Sequence, residues 1–227
     1  MIRAILFDCD GVFVDSERAH HEAFRGALGT VDVPLSWDDY LDRYTAYDDE
    51  SLFRLVFADR GRDLSDDLLA VLLAGKREDL ARRLAELPPI EATCAFAEHA
   101  LDEGYPVAVV SGARREEVES VLERAGLLGD VDAIVTAEDV SRGKPDPEPW
   151  LTGLARLGGG LSAADCVVIE DSRIGVAAGK AAGMLVVGLT TTYGADRFDG
   201  ADLVLPDLAG LTVAGLSDRI RKAEGGG

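Results

Sequence analysis

Six short runs of the chain have an uninterrupted apolar centre: "IRAILF" (2–7), "PVAVVS" (106–111), "DAIVT" (132–136), "DCVVIE" (165–170), "MLVVGL" (184–189) and "ADLVL" (201–205). A strand with one wet face alternates apolar and polar residues. A run without alternation reads as a strand covered on both faces, as in a parallel sheet. Helical segments separate these runs: 114–125 stopping at Gly126, 147–157 starting at Pro147, and 173–182 stopping at Gly183. Proline early in a helix and glycine just past its end are ordinary punctuation. Strand alternating with helix predicts an α/β domain with a doubly wound parallel sheet. Residues 16–87 read differently, with no convincing strand. Ser16, Ser36 and Ser65 each stand at an N-cap position before a periodic segment, such as "SWDDYLDRY" or "SDDLLAVLLAGKREDLARRLAEL". The expectation is a small helical bundle inserted after the first strand, with "LPPIE" (87–91) as a stiff linker or hinge back and "EGGG" as a disordered tail. No internal repeat is visible.

The chain has 227 residues, 47% of them hydrophobic, enough for one large domain or a domain with an insert. Its formal net charge of −19 would repel nucleic acid and anionic membranes, and no partner of either kind is expected. Cys9, Cys94 and Cys166 form no CxxC pair or framework spacing and read as reduced thiols. "MIRAILFD" lacks signal-peptide anatomy, and no apolar run approaches the ~20 residues that span a bilayer. The expectation is a soluble cytoplasmic protein, monomeric, with a dimer as the alternative.

The first apolar run ends in two acids and a glycine, "ILFDCDGVFVDSE" (5–17). Residues i and i+2 of a strand share a face, so Asp8 and Asp10 converge at its carboxyl end while Cys9 turns away. Two carboxylates this close repel unless a cation intervenes. In open α/β sheets ligands bind beyond the carboxyl ends of the strands. The second strand delivers Ser111 there, with Gly112 opening a helix. The fourth delivers Glu170 and Asp171, and "RGKPDPEPW" holds Lys144 in a proline-rich loop. Carboxylate oxygens suit Mg2+. A hydroxyl, an ammonium and helix-start amides suit a phosphoryl group.

"DCDGV", "SG" at 111–112, "GKPDP" and "EDSRIGVAAGKAAGM" are similar to the four motifs of the haloacid dehalogenase superfamily, in the expected order over residues 8 to 184. The resemblance is to the subgroup with a helical cap after the first strand, which includes phosphoglycolate phosphatase-like enzymes and β-phosphoglucomutase. It implies a Rossmann-like core over 1–15 and 88–227 and a cap over 16–87. It implies Asp8 as a nucleophile that forms an aspartyl-phosphate, and Asp10 as general acid and then base. It implies Mg2+ held by Asp8, the Asp10 backbone carbonyl and Asp171, with Glu170 reaching it through water. Ser111, the Gly112 amide and Lys144 then meet the equatorial phosphoryl oxygens. Dehalogenases of the superfamily lack the second aspartate, so Asp10 implies phosphate chemistry on a small phosphorylated metabolite.

In such relatives the cap closes over the site and decides the substrate. Related mutases clamp a second phosphate with a Lys-Gly pair and an Arg; this loop, "DRYTAYDDESLF", has Thr45-Ala46 and the acids Asp48, Asp49 and Glu50. That departure favours a phosphatase over a phosphohexomutase. His20, Thr45 and Lys76 are the candidate cap contacts to substrate. The blander readings are a packing or surface role for His20 and His21 and a solvated Lys76. Ser111 alone reads as a helix cap and Lys144 alone as a loop lysine, and the constellation reverses both. Ser172 is the better cap than Asp171, and "GVAAGKAAG" reads as small residues letting a helix lie close on the sheet. A calcium loop at Asp8-x-Asp10 is disfavoured by the incoming strand. A receiver-like domain is disfavoured by the length and the helical insert. A non-catalytic phosphate-binding protein is a further alternative, weakly disfavoured because every motif residue is present.

Overall fold

In a computed structural model, which describes residues 2–45 and 47–225, the six apolar runs form one sheet. The strands are β1 (Ala4–Phe7), β2 (Val107–Val110), β3 (Ala133–Val135), β4 (Cys166–Glu170), β5 (Leu185–Leu189) and β6 (Leu203–Leu205). They lie in the order β3-β2-β1-β4-β5-β6, and every pairing is parallel. Every residue of β1, β2 and β4 is buried, which is why those runs do not alternate.

The chain divides into two compact units, Met1–Asp15 with Pro88–Gly227, and Ser16–Leu87. The second unit holds α1 (Glu17–Gly29), α2 (Trp37–Asp39), α3 (Asp49–Asp59) and α4 (Asp66–Glu86). Its core includes Phe24, Leu28, Tyr44, Phe53, Phe57 and Leu72, with the Phe24 and Phe53 rings 5.3 Å apart. Ser36 and Ser65 cap α2 and α4, their hydroxyls accepting from the Asp39 and Leu68 amides. Ser16 stands at the start of α1 but makes no side-chain capping bond, because its backbone is already helical. The expected helix over "SWDDYLDRY" is a single turn that widens into a π-helical turn at Tyr40–Tyr44. Ala46 of the cap loop and Gly226 and Gly227 of the tail lie outside the described residues.

The sheet unit adds α5 (Glu91–Asp102), α6 (Arg115–Ala125), α7 (Glu148–Leu157), α8 (Arg173–Ala181) and α9 (Val213–Glu224). Gly112 does not open α6: the helix starts at Arg115 with Arg114 as its cap, so 111–113 form a connecting turn. Ser172 caps α8, accepting from the Gly175 amide. The small residues of α8 are structural. A Cβ on Gly179 would sit 2.8 Å from Val186 Cγ2, and one on Gly175 only 1.5 Å from Glu170 Oε1. Trp150 of α7 is fully buried and donates its indole N–H to the Gly175 carbonyl at 3.3 Å.

Candidate active site

The strand order reverses direction between β1 and β4, and the crevice at the carboxyl ends of such a pair is where α/β sheets take ligands. Phe7 and Ile169 are partners across that pair. Asp8 follows β1, its amide donating to Ile169 O at 2.9 Å, and Glu170 ends β4 with Asp171 next. Adjacent strands therefore place three acids together from positions far apart in the chain.

Lys144 meets them from the loop before α7. Its ammonium donates to Asp8 Oδ1 at 2.9 Å, Glu170 Oε1 at 3.0 Å and the Val110 carbonyl at 3.1 Å, and lies 4.2 Å from the Trp150 ring centroid. Only 8% of the Lys144 side chain is exposed. Burial works against its charge, but Asp8 and Glu170 outweigh that and hold the ammonium above its ordinary value. Burial pushes the Asp8 carboxyl up to about 7; Lys144 opposes this, while Glu170 and Asp10 add to it. Asp10, half-buried, is thus close enough to Asp8 to repel it.

Asp8, Glu170 and Asp171 are all buried, and each offers an oxygen within 4.8 Å of the others. One ammonium cannot compensate three carboxylates, and an all-oxygen donor set is the chemistry that hard divalent cations prefer. The residues fit a metal such as Mg2+. Glu170 is the least suited to direct ligation, since Oε1 takes Lys144 and Oε2 takes the Ser172 amide at 2.5 Å. Gly11 has a left-handed φ of 68°, and a Cβ there would lie 1.7 Å from Asp171 Oδ2. Asp171 Oδ2 also accepts from the Thr192 hydroxyl, in the loop after β5. Sequence reasoning misses Thr192; the one signal for it is the hydroxyl run "TTT" just past an apolar strand.

Ser111 is buried beyond β2, one residue after the carbonyl that binds Lys144, and its hydroxyl accepts from the Ala113 amide at 3.0 Å. Gly112 is exposed beside it. The remaining candidates belong to the helical unit. Lys76 of α4 is 2% exposed rather than solvated, and donates to both oxygens of Asp49, at 2.8 and 2.9 Å. His20 Nδ1 lies 3.4 Å from the same ammonium, and the Phe24 ring centroid 4.6 Å from it. The Thr45 hydroxyl donates to the Leu41 carbonyl at 3.2 Å. His21 is a buried packing residue, its ring against both Trp37 and Tyr40 and its Nε2 3.1 Å from Leu35 O.

The pattern of the haloacid dehalogenase-like hydrolases matches residues 2–183. Validoxylamine A 7'-phosphate phosphatase of Streptomyces hygroscopicus subsp. limoneus is 31% identical over 92% of this chain and 95% of its own length. Beta-phosphoglucomutase of Bacillus subtilis is 29% identical over 93% of this chain and 92% of its own. The crystal structure of CbbY from Rhodobacter sphaeroides in complex with xylulose-(1,5)bisphosphate superposes with a TM-score of 0.83 at 25% identity, covering 95% of this chain and 99% of that one. Strand order, clustered acids and a lysine from a distant loop agree with these likenesses: the chain belongs to the haloacid dehalogenase-like hydrolase family.

Proposed function

We propose that the protein is a Mg2+-dependent phosphatase that hydrolyses a small phosphorylated metabolite through an aspartyl-phosphate. The observation that carries this reading is Lys144 bridging Asp8 and Glu170 beside Asp171 at the strand-order reversal. Asp8 attacks phosphorus; the Asp8 O–P bond forms as the ester P–O bond breaks, and Asp10 gives its proton to the departing oxygen. Asp10 then takes a proton from water, the water oxygen bonds phosphorus, and the Asp8 O–P bond breaks to release inorganic phosphate. Lys144, Ser111 and the Gly112 amide meet the equatorial oxygens. Asp8, Asp171 and the Asp10 carbonyl would hold Mg2+, with Glu170 behind a water. When bound, the metal supplies the positive charge that lets an anionic carboxylate approach an anionic phosphate.

The substrate we infer is a monophosphate with a small, uncharged or weakly charged remainder; the 31%-identical phosphatase is likewise named for a substrate with one phosphate. Lys76 supports it, because its ammonium is held by Asp49 rather than standing open to a second phosphate. The second reading is a β-phosphoglucomutase-like phosphohexomutase, favoured by the 29%-identical relative. Both are tested with a panel of sugar and polyol phosphates plus β-glucose 1-phosphate primed with its 1,6-bisphosphate. Phosphate release that Asp8→Asn lowers at least about a hundredfold supports the phosphatase. Glucose 6-phosphate forming faster than phosphate establishes the mutase instead.

A further inference from the structure

We propose that Thr192 is a positioning residue for the divalent-cation site, acting through Asp171; the inference rests on the metal reading above. Asp171 lies just past β4, and Thr192 lies in the loop that leaves β5, the strand paired to β4 through Glu170 and Gly188. The Thr192 hydroxyl donates to Asp171 Oδ2. The same oxygen faces Gly11, where even a Cβ would come within 1.7 Å. One carboxylate oxygen is thereby held between a hydroxyl donor and a backbone with no side chain. A hydrogen bond to an ionised carboxylate is among the stronger kinds, and it fixes the plane in which the carboxylate can meet a cation. Groups that orient a metal ligand in this way typically change metal affinity by about 10–100-fold. Gly11 and Thr192 thus act on Asp171 from two strand ends, one by leaving it room and the other by donating a hydrogen bond.

The experiment is calorimetric titration of Mg2+ into metal-stripped protein, alongside the thermal midpoint in EDTA. Thr192→Val keeps the shape and removes the hydroxyl, and is expected to weaken Mg2+ binding by about 10–100-fold. Thr192→Ser, which restores the hydroxyl, is expected to bind within about threefold of wild type. On an Asp171→Ala background, Thr192→Val should cause no further loss, because the two act as one unit. Thr192→Ala also lacks the hydroxyl and carries the same expectation should the valine variant fold poorly. Wild-type affinity in a folded Thr192→Val or Thr192→Ala protein overturns the inference. So does equal weakening by serine and valine, which would assign Thr192 to loop packing. A wild-type protein that takes up no Mg2+ overturns the metal reading and this inference with it.

Discussion

Lys144→Met is the substitution whose consequence follows most directly from the geometry. Methionine keeps the length of the side chain above Trp150 and deletes the ammonium that binds Asp8, Glu170 and the Val110 carbonyl. Removing one partner of a buried ion pair costs about 3–5 kcal/mol, because the other charge stays buried. At about 2–4 °C per kcal/mol for a chain of this size, the melting midpoint should fall by roughly 6–20 °C in EDTA at pH 8.5. The pH dependence has a definite sign. The Asp8 carboxyl is already raised from 3.8 to about 7 with Lys144 opposing the rise, so it climbs further without the lysine. A carboxyl raised in the folded state contributes stability that is present below its unfolded value and is lost as pH rises through the folded one. The loss therefore runs over a longer pH span in the variant than in wild type. Lys144 itself, held above its ordinary value, stays charged throughout and adds no slope. At pH 5 the deficit should shrink to about 1–2 kcal/mol, the scale of the lost hydrogen bonds. Urea titrations at pH 5 and 8.5 in EDTA measure both. A deficit below about 1 kcal/mol at pH 8.5, or a larger deficit at pH 5, would refute the reasoning.

Chelation should abolish activity and Mg2+ restore it, with Asp171→Ala raising the Mg2+ requirement more than Glu170→Gln, since both Glu170 oxygens already accept from the protein; the reverse order in a metal titration exchanges the two roles. Gly11→Ala should add about 1–2 kcal/mol of left-handed strain and displace Asp171, weakening Mg2+ binding at least about tenfold by calorimetry; unchanged affinity shows that Asp171 can move without loss. Asp139 takes hydrogen bonds from Arg156, Arg115 and Thr136, and the Arg156 bond leads in holding its carboxyl well below the usual range. Asp139→Asn should cost about 1–3 kcal/mol near pH 7. A depressed carboxyl stabilises above its unfolded value, so the gap to wild type should close as pH falls below about 4 in thermal scans.

The strands and the strand-end acids were legible because they obey one rule. A run buried on both faces carries no polar residue, so the first acid after it marks where the backbone emerges at the sheet's carboxyl edge. Asp8 is the first acid past β1, while Glu170 closes β4 itself with Asp171 next, and β1 pairing with β4 brings the three together. At 111–113 a serine followed by glycine has the composition of a cap and reads as a helix start, whereas Arg114 takes that place. The π-helical turn at Tyr40–Tyr44 leaves an apolar spacing too close to that of an α-helix to separate the two. The acids at 48–50 show a different limit. Read as a run, they are a repulsive patch; in the fold, Asp48 caps α3, Asp49 holds Lys76 and Glu50 pairs with Arg54. Thr192 escaped for the same reason, since a hydroxyl gains a role only once the carboxylate it donates to is in place. Periodicity locates where side chains emerge but says nothing about which donors and acceptors are already committed. Counting loop charges is therefore a weaker guide to specificity than finding strand ends is to chemistry.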